Sequence, residues 1–466
     1  MPRWLFKIGG AGILALLIAS GAWYAAGPRS LAAIGRVLPA NWSARDGALQ
    51  RQYAGVIPPP WSNTDSVIAT MQQRLRANDQ DERSYVTLGE AYAQKAREVG
   101  DPAYYSKADA VLQRALRLQA NDAEAIAAQA SLALDRHQFQ EALRLGQRAQ
   151  ALNPYDAGIL GIISDADVQL GNDTAAVQVT QGMVNLRPDL SSYSRVSYLR
   201  ELHGDLPGAI AAMQRAATAG GPAPENVAWT DWQLGTLYFN QGDLNAAQHE
   251  FEQALVIFPR YVHGEAGLAM VAAARGDYDG AIAHYTAALN VMPWPQYIIN
   301  LGDVYAAAGR QQDAEREYGL VGAIEELFRA NSVNVDAELA LFDADHHRQL
   351  PQALALARQN AKERPSVMAD DALAWTLYQS GDCPGAAQAE RDALRLGTEM
   401  PLMLFHAGMI AQCSGDRDAA TRYLNQTLSL NPHFSVLYDG VAERALRELG
   451  AGRPGIATVD LRAEGM

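Results

Sequence analysis

The sequence repeats itself at a period of about 34 residues, and this period constrains the fold more than any other feature. One alanine marks each of ten copies, and successive marker alanines lie 33 to 39 residues apart. The marker alanines are Ala108, Ala142, Ala176, Ala209, Ala247, Ala281, Ala314, Ala353, Ala386 and Ala420. Because one unit of this length cannot bury its apolar residues alone, the copies must stack on one another.

The copy between residues 228 and 259 indicates what each unit folds into. Apolar residues recur at helical spacing on both sides of Gly242-Asp243, with Leu234 before the dipeptide and Phe251 after it. Pro259 follows the second apolar run, and a residue without an N–H cannot continue a helix. Each copy therefore predicts two amphipathic helices, a tight turn between them and a stop.

This pattern resembles the tetratricopeptide repeat family, in which a Leu-Gly-x-x-Tyr first helix precedes an Ala-x-x-x-Phe second helix and a closing proline. The best matches are Leu88, Gly89 and Tyr92; Leu234, Gly235 and Tyr238 with Ala247, Phe251, Ala254 and Pro259; and Leu301, Gly302 and Tyr305 with Ala314 and Tyr318. About ten repeats cover residues 82–432, although Ser164 and Ser197 replace the first-helix glycine. The resemblance implies an all-α fold, a right-handed α-solenoid of tandem helix-turn-helix repeats with an N-terminal hydrophobic segment.

The N-terminus is a segment of another kind. Arg3 and Lys7 precede an uncharged, apolar run of about 20 residues, which is long enough to span a bilayer. Small residues up to Ala22 also suit cleavage, so both a membrane anchor and a signal peptide remain open. We divide the chain into this anchor or signal peptide (1–28), a proline-containing linker (29–63), the solenoid (64–450) and a flexible tail (451–466).

The charge balance narrows the classes of partner. The formal net charge is -14, and nucleic-acid binding needs basic surface to neutralise phosphates. We expect a protein or peptide partner, membrane contact through the N-terminal segment and no nucleic acid. The repeats are expected outside the cytoplasm in the cell envelope, either membrane-anchored or secreted. A cytoplasm-facing adaptor anchored by the same segment is the alternative.

The two cysteines, Cys383 and Cys413, occur near the hairpin turns of adjacent copies. Adjacent turns stack in a solenoid, so the pair can approach bonding distance and form a disulfide in an oxidising compartment. Two unpaired thiols are the alternative.

In this family the first helices line the concave face, and the resemblance maps a partner-binding groove onto them. The predicted groove residues are Trp229, Trp232, Phe239, Met270, Asn300, Asp303, Glu338, Phe342, Trp375, Tyr378, Phe405 and His406. Aromatic side chains anchor peptide segments, which predicts a non-catalytic scaffold that mediates protein–protein interactions. For Trp232 and Trp375, packing between repeats is an equally strong interpretation. The lining has no lysine and Arg195 stands alone in it, which disfavours clamping of a C-terminal carboxylate.

One cluster offers an alternative, a metal-binding or hydrolytic protein. Asp343, Asp345 and His346 lie close together in the sequence, and His406 is placed to face the same groove. Carboxylates and imidazoles bind divalent metals. However, adjacent residues point to different faces of a helix, and no HExxH spacing is present. The sequence therefore predicts no catalytic residue, no metal and no cofactor.

Overall fold

A computed structural model describes residues 64–221, 224–292 and 294–451, and within them the regular secondary structure is helical throughout. The candidate anchor (1–28), the linker (29–63) and residues 452–466 of the tail lie outside the described residues, so these assignments stay predictions. No helix of the described part combines the length and the apolar character that crossing a membrane requires.

We number the helices α1 to α23 in chain order. They are α1 Thr64–Ala77, α2 Glu82–Val99, α3 Ala103–Leu118, α4 Ala123–Asp135, α5 Phe139–Leu152, α6 Ala157–Gln169, α7 Asp173–Leu186, α8 Leu190–Leu202, α9 Leu206–Ala219, α10 Pro224–Asn240, α11 Leu244–Ile257, α12 Val262–Ala274, α13 Tyr278–Val291, α14 Pro295–Ala307, α15 Gln311–Tyr318, α16 Val321–Ala330, α17 Asp336–Asp345, α18 Leu350–Glu363, α19 Val367–Gln379, α20 Cys383–Ala393, α21 Pro401–Cys413, α22 Arg417–Leu430 and α23 Asp439–Ala451.

Consecutive helices form antiparallel hairpins that correspond to the sequence copies. The pairs α2/α3 to α12/α13 are repeats 1 to 6, α14 to α16 form repeat 7, and α17/α18 to α21/α22 are repeats 8 to 10. We call the connection inside a repeat its hairpin turn and the connection to the next repeat the inter-repeat loop. The marker alanines lie in the second helices, and all ten have 0% exposure. The predicted helical solenoid is therefore confirmed.

The Gly-Asp dipeptide of the hairpin turn meets two backbone requirements. Gly242 has a φ of 82°, in the left-handed region that favours glycine. Asp243 then begins the second helix, where its Oδ1 accepts a hydrogen bond of 2.9 Å from the backbone N–H of Ala246. The dipeptide thus ends one helix and caps the next.

Repeat 7 departs from the sequence prediction. Between Gly319 and Asn331 the sequence contains no proline to stop a helix, and by itself it predicts one extended second helix in repeat 7. The structure instead ends α15 at Tyr318 and begins α16 at Val321, with Gly319 at the break. Glycine is a poor helix former, and Phe328 of α16 belongs to the same buried hydrophobic cluster as Val86 of repeat 1.

The largest feature that the repeat pattern does not show is a contact between two tiers of repeats. Repeats 1 to 5 form the first tier and repeats 6 to 10 the second. Hairpin turns of repeats 2 to 5 meet the inter-repeat loops that follow repeats 7 to 10. The hydrogen bonds between these turns and loops connect residues 192 to 198 positions apart. At about 34 residues a repeat, one superhelical turn takes between five and six repeats.

Each step of the tier contact is specific. The Thr398 hydroxyl donates to the carbonyl oxygen of Leu202 over 2.6 Å, and the Asn431 amide donates to that of Phe239 over 2.8 Å. Repeat 2 has His137 instead of the turn glycine, with a φ of 58° and its Nδ1 2.7 Å from the carbonyl oxygen of Asn334. Most hydrogen bonds of the tier contact are therefore accepted by main-chain carbonyl oxygens.

Candidate functional site

The predicted groove residues divide into a buried set and a partly exposed set. The buried residues are Trp229, Phe239, Asn300, Asp303, Phe342, Trp375, Phe405 and His406. The partly exposed residues are Trp232, Met270, Glu338 and Tyr378. Most of the predicted lining therefore packs between the helices, and only the second set presents surface on which a partner can dock.

Trp375 organises the buried set in the last repeats. Its indole N–H donates to Asp345 Oδ1 over 2.7 Å, and the Tyr438 hydroxyl donates to the same oxygen over 2.7 Å. The Trp375 ring stacks on His406 with centroids 4.1 Å apart, and Phe405 lies 5.6 Å from it. Packing, which the sequence leaves open for Trp375, is what the structure shows, since this side chain is 1% exposed.

Three carboxyl groups, those of Asp345, Asp371 and Glu390, belong to this aromatic cluster or lie near it. His406 Nδ1 lies 3.0 Å from Asp371 Oδ1, inside the protein. Burial raises the pKa of Glu390 well above its usual range, and the nearby charge of Asp371 raises it further. Burial also raises the pKa of Asp345, against the lowering effect of the Tyr438 hydrogen bond. These shifts favour neutral carboxyl groups, which suits packing between helices better than ion binding.

The structure does not bring the proposed metal ligands together. Asp345 accepts from Trp375 and Tyr438, whereas His406 pairs with Asp371. His346 lies in a separate cluster, with Nε2 3.2 Å from Asp303 Oδ1. Among the described residues, no group of three or more histidine, cysteine, aspartate or glutamate side chains is arranged to hold a metal ion.

A second aromatic cluster surrounds His263 in repeats 5 to 7. The His263 ring lies 4.9 Å from Trp232, 5.1 Å from Tyr261 and 5.4 Å from Trp294. Its Nδ1 is hydrogen-bonded to the Tyr297 hydroxyl. Burial lowers the pKa of His263 to about 3, so the ring is neutral at physiological pH. The sequence pattern identified only Trp232 of this cluster, because Tyr261 and Trp294 belong to inter-repeat loops, which the first-helix positions do not include.

One edge of this region is an apolar patch with partial exposure. Trp232 and Tyr238 of repeat 5 and Leu268 and Met270 of repeat 6 are partly buried and pack against the core around Phe251. We call these four residues the repeat 5–6 patch. They combine solvent access with a rigid underlying core, the combination that an anchor site for a partner requires.

Arg195 is paired, although the sequence shows no partner for it. Its Nε donates to Asp165 Oδ1 over 2.8 Å and its Nη2 donates to Asp165 Oδ2 over 2.6 Å. A second buried pair joins Arg97 Nη1 to Asp135 Oδ2 at 3.0 Å. Both pairs join the first helices of adjacent repeats, α6 with α8 and α2 with α4. The charged groups of these two pairs therefore join adjacent repeats inside the solenoid.

The buried carboxyl of Glu201 makes stability depend on pH. Burial raises its pKa from 4.5 to about 7, against the lowering effect of the Asn240 hydrogen bond. A raised folded-state pKa gives stability that is present below pH 4.5 and is lost as the pH rises through 7. We expect Glu201→Gln to unfold at the same urea concentration as the parent near pH 4 and to be about 1 to 3 kcal/mol more stable at pH 8.

Urea unfolding followed by circular dichroism at both pH values measures this difference. Glu252→Gln, a change at an exposed position on α11, is the matched control and should show no such pH dependence. An equal effect of the two substitutions at pH 8 would contradict the assignment to Glu201.

Cys383 and Cys413 are joined by a disulfide, with Cα atoms 5.7 Å apart. Cys383 begins α20 and Cys413 ends α21, so the bond links the hairpin turns of repeats 9 and 10. The bond joins residues 30 positions apart and therefore restricts the conformations of the unfolded chain.

Residues 233–298 match the family described as Tetratricopeptide repeat. This span contains most of repeats 5 and 6, and with them the repeat 5–6 patch except Trp232. No curated protein sequence matches the chain.

Several solved structures are similar to the chain at low identity. The Cut9–Hcn1 hetero-tetramer of the APC/C is 12% identical over 91% of this chain and 99% of that chain, with a TM-score of 0.35. A tetratricopeptide repeat protein from Parabacteroides merdae is 16% identical over 56% of this chain and 98% of that chain, with a TM-score of 0.32. YrrB, described as a TPR protein with an unusual peptide-binding site, is 17% identical over 42% of this chain and 95% of that chain, with a TM-score of 0.26. These similarities carry no inference about the partner of this chain.

Proposed function

We propose that this chain, a member of the tetratricopeptide repeat family, is a non-catalytic scaffold of the cell envelope that binds a protein or peptide partner. The observation that carries the proposal is the repeat 5–6 patch, in which four apolar side chains with partial exposure sit on the buried core around Phe251. Aromatic side chains give large contact area at low entropic cost, and the flexible methionine side chain adapts to the shape of a partner. The partner segment therefore needs apolar residues of its own.

The envelope location is supported by two features of the chain. The N-terminal run of residues 1–28 suits an anchor or a signal peptide, and a disulfide joins Cys383 to Cys413. The alternative location, facing the cytoplasm from the same anchor, predicts that the repeats resist protease added to spheroplasts. The envelope location predicts that they are digested.

The metal-binding alternative is not favoured by any contact in the described part. Asp345 accepts hydrogen bonds from Trp375 and Tyr438, His406 pairs with Asp371, and His346 pairs with Asp303. We therefore assign these residues to packing.

The test is affinity capture from envelope extract, with Met270→Asp as the decisive variant. Met270 is partly exposed, so a carboxylate introduced at this position can reach water. We expect a partner that the parent chain retains and that Met270→Asp loses at least tenfold. Leu320→Asp, at an exposed apolar residue of repeat 7, is the matched control and should retain the partner.

Circular dichroism melts of both variants establish that the solenoid is intact. Equal capture by the parent and by a folded Met270→Asp variant would exclude the repeat 5–6 patch as the binding surface.

A further inference from the structure

The tier contact joins an edge formed by hairpin turns to an edge formed by inter-repeat loops. Each tier has one edge of each kind. The first tier offers its hairpin turns to the inter-repeat loops of the second tier. This leaves the hairpin turns of repeats 6 to 10 at one end of the molecule and the loops that follow repeats 1 to 5 at the other. We call the first the turn edge and the second the loop edge.

The turn edge has the same chemistry as the turns already engaged in the tier contact. Gly381 and Gly415 have a φ of 83°, next to the 82° of Gly242, and an aspartate follows each of them as it follows Gly242. A Cβ at Gly242 would lie 2.5 Å from the carbonyl oxygen of Leu430 in the opposite tier. A Cβ at Gly381 or Gly415 would meet no described atom within 4 Å. The same backbone shape is thus covered in one tier and open in the other.

The loop edge carries the sequence that receives a hairpin turn elsewhere in the chain. Leu430-Asn431-Pro432 follows repeat 10, and there Asn431 is 0% exposed while its amide bonds to Phe239 of the first tier. The identical tripeptide, residues 152–154, follows repeat 2 on the loop edge. At that position Leu152 is 46% exposed, against partial burial of Leu430.

Exposed apolar side chains concentrate on the loop edge. Of the five large apolar residues exposed in the described part, Leu152, Tyr155 and Leu186 lie at the ends of α5 and α7 or in the loop between α5 and α6. Leu152 and Leu186 each lie 10 residues after the marker alanine of their repeat, so they are neighbours along this edge. Tyr155, in the loop between α5 and α6, is 82% exposed.

We propose that the loop edge binds the turn edge of a second copy of this chain. The contact continues between molecules the tier contact that exists within one molecule. The two surfaces are different, so the association is head to tail. Such a contact does not close after two copies, and it adds further copies along the superhelix axis.

The experiment measures molar mass by light scattering on the full chain in detergent, over a hundredfold range of concentration. The molar mass of the parent chain is expected to rise above that of two copies as the concentration increases. A loop-edge variant, Tyr155→Glu with Leu186→Glu, and a turn-edge variant, Ser380→Arg with Ser414→Arg, are each expected to stay at the mass of one copy. The serines precede Gly381 and Gly415 and are exposed, and the aspartates that cap α20 and α22 are retained.

Mixing the two variants makes the geometry testable. Each variant keeps one intact edge, so an equimolar mixture should reach two copies and stop there. A parent chain of constant mass overturns the proposal. Association through the N-terminal segment also overturns it, because neither edge variant would then reduce the mass. Association through a symmetric surface overturns it as well, because at most one of the two variants would then reduce the mass. Both variants must show the parent's helical circular dichroism, and Leu320→Glu, an exposed change away from both edges, should associate as the parent does.

Discussion

Gly242→Ala is expected to destabilise the protein by about 1 to 3 kcal/mol more than Gly381→Ala, although the two glycines have nearly the same backbone conformation. At both sites alanine must adopt a left-handed conformation, which costs roughly 1 to 2 kcal/mol. Only at Gly242 would the added Cβ also lie 2.5 Å from a main-chain oxygen, that of Leu430. A backbone carbonyl cannot rotate away as a side chain can, so the tiers must separate locally.

Urea unfolding of the two variants measures the difference in the free energy of unfolding. Small-angle scattering gives a second measurement, because separation of the tiers should enlarge the radius of gyration of Gly242→Ala and leave that of Gly381→Ala unchanged. Equal losses of stability with equal radii would show that the tiers do not touch at Gly242 in solution.

Arg195→Met is expected to cost about 3 to 5 kcal/mol, the loss that follows when one partner of a buried ion pair is removed. Asp165 has a 3% exposed side chain and accepts two hydrogen bonds from the guanidinium. Burial raises the pKa of Asp165 to about 6 even with Arg195 beside it. Without the arginine the pKa rises further, so the loss should be largest at pH 8 and smaller near pH 5, where the carboxyl binds a proton.

The double variant Arg195→Met with Asp165→Leu is the matched control, because it removes both charges and leaves an apolar contact. It should recover most of the stability, since replacing a buried pair by apolar residues is often neutral. Thermal and urea unfolding at the two pH values provide the measurement. A single variant as stable as the parent at pH 8 would show that Asp165 reaches water without its partner.

The site could be predicted from the sequence only in part. First-helix positions identified Trp232 and Met270, which are partly exposed in the repeat 5–6 patch. The same positions also selected Trp375 and Phe405, which are buried among rings from other elements. Tyr438 covers this cluster from the segment after repeat 10, and no repeat position predicts a ring there. A periodic pattern assigns a residue to the inner face of a helix, but it does not say whether that face is open.

The sequence by itself determined the hairpins, because their signals are local. A marker alanine permits two helices to cross closely, and a Gly-Asp dipeptide reverses the chain and caps the next helix within a few residues. The tiers were decided by the tertiary structure alone. Whether Gly242 meets Leu430 depends on small rotations between successive repeats, which accumulate over 192 positions between Phe239 and Asn431. No local sequence pattern specifies this accumulated rotation. The accumulated rotation determines which glycines are enclosed, which inner residues are buried and which edges remain exposed.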